Sequence, residues 1–206
     1  MPFGGAIVKP AWFKYFNPTD LPMIGCQRIQ SWDTASKESD LADYSVCTSW
    51  VMQGKNLYLV NVFPEKMEYP ALKRRVLAKA QEFQPDVVLI EDKASGIQLV
   101  QELNAEGLHV VKAVKPKGDK VARPVAQTPK IENGCVFLPI GMPWVPDYVK
   151  ELSSFPSSRY DDQVDSTSQA LEFMSVGMWT NGLGMLCYAR QQLEEQRGPS
   201  KPPVTF

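Results

Sequence analysis

Residues 85–107 read PDVVLIEDKASGIQLVQELNAEG, and their pattern decides the fold. Pro85 ends a helical pattern that precedes it, and Asp86 leads into Val87-Val88-Leu89-Ile90, an unbroken apolar run. A strand that is apolar on both sides is covered on both sides, as parallel strands flanked by helices are. Residues 94–105 then place Ile97, Val100 and Leu103 at helical spacing, and Gly107 stops the helix. Upstream, Leu72, Val76, Leu77, Ala80 and Phe83 predict a helix over residues 69–83. Further upstream, residues 44–52 and 56–63 are rich in β-formers and flank the turn Gln53-Gly54-Lys55-Asn56, so they predict a hairpin. Residues 25–35, GCQRIQSWDTA, predict a strand ending at Asp33. Downstream, residues 108–111 predict a short strand, with His109 in a structural role, and residues 145–155 and 161–174 predict helices.

Three strands in a meander, followed by helix, strand, helix and strand, imply an α/β fold. The expected architecture is a ribonuclease H-like mixed five-stranded sheet, antiparallel meander plus parallel strands, with helices on both faces. Residues 1–23 carry aromatics and turn formers without a period and read as an N-terminal arm or linker remnant. Residues 24–190 form the expected domain, and residues 191–206 a flexible Pro-rich tail.

Composition narrows the function. The 22 basic and 23 acidic residues leave a formal charge of −1, and the 44% hydrophobic share is that of a globular chain. Four scattered cysteines without a CxxC pair, and a single histidine, argue against a zinc finger and for a reducing compartment. No apolar run approaches transmembrane length, and the first residues do not have the pattern of a signal peptide.

Acidic residues stand where strands and a helix end or begin. Asp33 closes the first strand, Glu91 follows the buried run, and Asp161, Asp162 and Asp165 open the last long helix. Taken singly, Asp33 reads as a turn or helix cap, and Asp161 and Asp162 as an N-cap and a first-turn acid favoured by the helix dipole. Glu91 fits such a reading poorly, because a carboxylate beside four buried aliphatics is costly to ionise without a partner. Adjacent strands would set Asp33 and Glu91 side by side, and the helix would add an Asp of the DDQVD run. Clustered carboxylates repel unless cations sit between them, and hard oxygen donors select Mg²⁺ or Mn²⁺. Two such ions suit in-line phosphodiester hydrolysis. On this reading Glu91→Gln should leave metal-free stability unchanged or raise it, since it relieves repulsion.

The near-zero total charge hides a local division. Residues 112–132 carry six bases against two acids, net +4, and residues 151–172 five acids against Arg159, net −4. Pro116, Gly118 and Pro124 make the basic stretch loop-like, as a segment gripping a phosphate backbone would be.

In order, SWDTA at 31–35, the hairpin, LIEDKASG at 89–96, KGDKVAR at 117–123 and LSSFPSSRYDDQVDSTSQAL at 152–171 resemble the C-terminal nuclease domain of phage terminase large subunits. The resemblance spans about residues 26–174. It implies a Mg²⁺/Mn²⁺-dependent endodeoxyribonuclease that uses two ions to cut concatemeric viral double-stranded DNA during genome packaging. By motif it implies Asp33, Glu91 and Asp162 as the catalytic, metal-binding triad, Asp161 and Asp165 as further ligands, and Lys117, Lys120 and Arg123 near DNA. It also implies the ATPase motor domain, portal and small terminase subunit as partners, no membrane, and the host cytoplasm as location. Two departures are visible: no GxxxxGK[ST] motif occurs, so the motor half is lacking, and Tyr160 stands where many members have His before the DD pair. Two rival readings are a non-cleaving DNA or portal docking module and a resolvase- or transposase-type nuclease on the same fold.

Overall fold

The computed structural model describes residues 6–34, 44–92, 94–116 and 118–179. The Pro-rich tail and Lys117 lie outside the described residues. Seven strands form one sheet in the order β1-β7-β4-β3-β2-β5-β6. They are β1 (Lys14–Phe16), β2 (Gln27–Asp33), β3 (Ser45–Gln53), β4 (Asn56–Glu65), β5 (Val87–Glu91), β6 (Val111–Val114) and β7 (Val136–Pro139). The helices are α1 (Tyr69–Phe83), α2 (Ala94–Ala105), α3 (Ala122–Glu132), α4 (Val145–Ser154) and α5 (Asp162–Trp179).

The meander β2-β3-β4 is antiparallel, β5 runs parallel to β2 and β6 parallel to β5, as the hydrophobic pattern predicts. Alternation along β5 explains its uninterrupted run. Val87 and Leu89 join a core with Tyr148 and Leu152 of α4 and Val164 and Leu171 of α5. Val88 and Ile90 turn the other way, onto Leu72 and Val76 of α1 and Leu99 and Leu103 of α2. Helices therefore cover both faces, and none among the described residues is long and apolar enough to cross a membrane.

The sheet has two strands beyond the five expected. β7 pairs in parallel with β4, and β1 in parallel with β7. β1 comes from the stretch read as an arm or linker remnant, which also buries Val8, Phe13, Phe16 and Leu21. The strand expected at 108–111 lies later, at Val111–Val114, and His109 is exposed in the turn before it.

The basic stretch read as a loop contains α3, which its prolines disguised. Pro124 stands in the first turn, where its missing N–H has no intrahelical acceptor to lose. The Asp119 carboxylate accepts from the Val121 and Ala122 amides and organises the helix entrance. Pro129 lies inside the helix and cannot donate to the Val125 carbonyl four residues back, but the Thr128 hydroxyl donates to that carbonyl at 2.8 Å. The helix keeps the acceptor satisfied that proline would have orphaned.

Candidate functional site

Asp33 and Glu91 are the last residues of β2 and β5, and each follows directly on the paired residues Trp32 and Ile90. Trp32 and Ile90 belong to the α1/α2 side, so strand alternation turns Asp33 and Glu91 to the α5 side, at one end of the sheet. Both are buried, Glu91 at 3% exposure. The close packing of Gly96 tightens this strand end: a Cβ on Gly96 would stand 2.0 Å from the Glu91 carbonyl oxygen.

A run of small polar residues seats α5 on the strands. Ser31 Oγ donates to the Ser166 carbonyl and Ser166 Oγ to the Ser31 carbonyl, each at 2.8 Å. Thr48 Oγ1 and Ser166 Oγ are also 2.8 Å apart, and Gln169 Nε2 donates to Ser31 Oγ at 3.0 Å. These side chains are short, so helix backbone and sheet approach closely. The consequence is positional: one turn before Gln169, Asp165 is held at the sheet end with 4% exposure. The sequence signal for this seat is the run Asp165-Ser166-Thr167-Ser168-Gln169, in which short hydroxyl side chains follow the acid.

Two cations enter the acidic cluster from the α3 side. Arg123, 12% exposed, donates from Nη1 to Glu91 Oε1 at 2.9 Å and places Nη2 3.6 Å from Asp165 Oδ1. Lys120 Nζ lies 2.8 Å from Asp161 Oδ1 and 3.6 Å from Asp165 Oδ2. Burial alone would lower the Lys120 pKa, but the Asp161 hydrogen bond and the charges of Asp165, Asp161 and Asp33 outweigh it and leave it raised. Glu91, Asp161 and Asp165 thus meet around two bases, and the charge of Asp33 reaches Lys120.

Asp162 has a different neighbour. Its charge acts on Glu151 of α4, whose carboxyl is pushed up mainly by burial while it accepts hydrogen bonds from Gln163 N and Nε2. Of the basic trio, Lys120 and Arg123 are at the cluster and Lys117 is outside the described residues. Tyr160, just before the acidic pair, meets Tyr44 edge-on at 5.9 Å and carries the Arg159 guanidinium 5.2 Å over its ring.

The donor set is all oxygen, the chemistry that Mg²⁺ and Mn²⁺ take. Among the described residues no three acidic, cysteine or histidine side chains are grouped closely enough to hold an ion. The reason is visible in the contacts: Lys120 and Arg123 stand between the carboxylates. The residues fit a hard divalent cation in donor type, and here the protein's own cations engage them.

Residues 30–173 match the family model described as the terminase RNaseH-like domain. The chain is also similar in fold to solved structures. The large terminase nuclease of the thermophilic phage G20c with bound magnesium is 15% identical at a TM-score of 0.62, covering 83% of this chain and 98% of that one. The Thermus phage P74-26 large terminase nuclease domain is 15% identical at 0.56, covering 78% and 90%. The large terminase of another thermophilic bacteriophage is 11% identical at 0.61, and the match covers 82% of this chain but 45% of that longer one. No curated protein matches the chain.

Proposed function

The chain belongs to the terminase RNaseH-like domain family, and from that premise we propose that it is a divalent-metal-dependent endonuclease that cuts double-stranded viral DNA during genome packaging. One observation carries the reading. Arg123 bridges Glu91 at the end of β5 to Asp165 of α5, and Lys120 bridges Asp165 to Asp161 and feels the charge of Asp33 at the end of the neighbouring strand. Such a gathering of buried acids has a structural cost that a solvated surface would not impose, and it suits an oxygen-ligated ion.

Asp33, Glu91 and Asp165 would hold Mg²⁺ or Mn²⁺, with Asp161 as a further ligand; the burial of Asp165 and its shared contact with Arg123 favour it over Asp162 as the third member. Bound in such a set, two ions supply a metal-activated water and neutralise charge on the leaving oxygen. The protein's part is positional. Asp33 is fixed by pairing with Val46, Glu91 by pairing with Val114, and Asp165 by the hydroxyl contacts that follow it on α5. Lys117, Lys120 and Arg123 would provide charge for the phosphate backbone, whose contacts position DNA without reading its sequence. Cutting of concatemers, and association with an ATPase motor domain, portal and small subunit, complete the packaging role.

The test is plasmid cleavage with Mn²⁺ by the wild-type chain beside Asp33→Asn, Asp165→Asn and Asp162→Asn. We expect cleavage by wild type, loss of at least about 10²-fold in Asp33→Asn and Asp165→Asn, and a smaller loss in Asp162→Asn. DNA binding without cleavage in every variant, wild type included, would replace the enzyme with a docking module. Preferential cutting of branched DNA would point to a resolvase-type nuclease.

A further inference from the structure

We infer that Lys120 and Arg123 are displaceable counter-ions of the carboxylate cluster, occupying it in the metal-free protein and leaving it when divalent ions enter. The inference rests on the metal-dependent reading above and adds a competition internal to the chain.

Charge states the case. Asp33, Glu91, Asp161 and Asp165 carry four negative charges, and Lys120 and Arg123 two positive ones. Among these six described side chains the sum is −2, and withdrawing the two bases leaves the four acids for divalent ions to offset. Acids this buried need compensation in either state, because an uncompensated buried charge is strongly destabilising. The bases and the ions cannot share the same oxygens at full strength, since Arg123 Nη1 already engages Glu91 Oε1 at 2.9 Å and Lys120 Nζ engages Asp161 Oδ1 at 2.8 Å.

The placement of the two bases suits exchange. Lys120 is 54% exposed along its side chain and follows Gly118, whose φ of +78° marks a turn that other residues adopt only with strain. Arg123 lies in the first turn of α3, and buried Pro124, Gln127 and Ile131 anchor that helix along its length. The long side chains of Lys120 and Arg123 can swing away from the carboxylates while the helix stays docked. The carboxylates have no such freedom, for they sit on strand ends and on α5, which is bonded to the sheet.

The experiment uses two readouts that need no turnover: Mn²⁺ titration by calorimetry, and melting temperature in chelated and in Mn²⁺-containing buffer. Arg123→Gln should melt lower than wild type without metal, bind Mn²⁺ about fivefold or more tightly, and gain more from Mn²⁺ than wild type does. Arg123→Lys, which keeps the charge, should lie near wild type in affinity. If Arg123→Gln fails to fold, Lys120→Gln, at the more exposed position, is expected to show the same direction. Mn²⁺ affinity that is equal or weaker in the neutral variants overturns the inference and makes the bases fixed supports. If wild type itself takes up no Mn²⁺, and Asp33→Asn matches it, the metal-dependent reading fails with it. If wild type binds Mn²⁺ and Asp33→Asn does not, that reading stands and the neutral variants alone decide the exchange.

Discussion

Replacing Ser166 by Ala tests how α5 is held to the sheet. In the folded chain Ser166 Oγ donates to the Ser31 carbonyl at 2.8 Å and lies 2.8 Å from Thr48 Oγ1, with both hydroxyl residues fully buried. The substitution removes two hydrogen bonds worth about 1 kcal/mol each, and strands the Thr48 hydroxyl, at about 1–3 kcal/mol for an unsatisfied buried group. Because these figures overlap, the expected loss is about 3 kcal/mol. For a domain of this size that lowers the melting temperature by about 6–12 °C. Urea unfolding followed by circular dichroism measures the free energy, and a cycle with Thr48→Val isolates the pair. The double variant has no stranded hydroxyl, so its loss should fall short of the sum of the single losses by about 1 kcal/mol. A Ser166→Ala loss below about 0.5 kcal/mol, or strict additivity in the cycle, would refute the idea that these hydroxyls seat the helix.

Three further outcomes follow from the contacts. Glu91→Gln should destabilise the metal-free protein by about 3 kcal/mol in thermal or urea unfolding, because Arg123 at 2.9 Å loses its buried partner; the sequence-based expectation of no loss took only the repulsion into account. Gly96→Ala should cost about 3 kcal/mol and lower any metal-dependent activity, since the new methyl meets the Glu91 carbonyl oxygen at 2.0 Å and the strand end must shift. Burial raises the folded-state Glu151 pKa, so this group's contribution to stability is full below the ordinary glutamate pKa and is lost as pH rises through the raised one. Urea titrations from acid to neutral pH should show that decline, and Glu151→Gln should lack it.

How much of this was legible in the sequence depended on length and period. α1 and α2 declared themselves because Leu72, Val76 and Ala80, then Ile97, Val100 and Leu103, recur at helical spacing between clear breakers, although α2 buries Leu99 with Leu103 and leaves Ile97 exposed. β5 was legible because both of its faces are covered. β1 and β7 were not, since three or four residues show no period and their stability comes from pairing with each other and with β4. α3 was concealed by Pro124 and Pro129, whose cost is met locally by Asp119 and Thr128. At the site, the acidic positions followed from strand ends and a helix start. What did not follow was their partnership with Lys120 and Arg123, which joins residues 41 and 32 positions apart. Nor did the choice among Asp161, Asp162 and Asp165 follow, because it depends on how α5 is rotated about its own axis.

The outermost strand bears on how the domain can be trimmed. A fragment begun at residue 26 would keep β2 but discard Lys14–Phe16, together with the Phe13 and Leu21 side chains that plug the neighbouring core. The β7 backbone from Val136 to Pro139 would then present donors and acceptors to solvent, a template for another copy to add a strand. Such a shortened piece should self-associate or precipitate while its acidic centre stays intact. Its poor behaviour in solution would then reflect a missing border and carry no information about the chemistry.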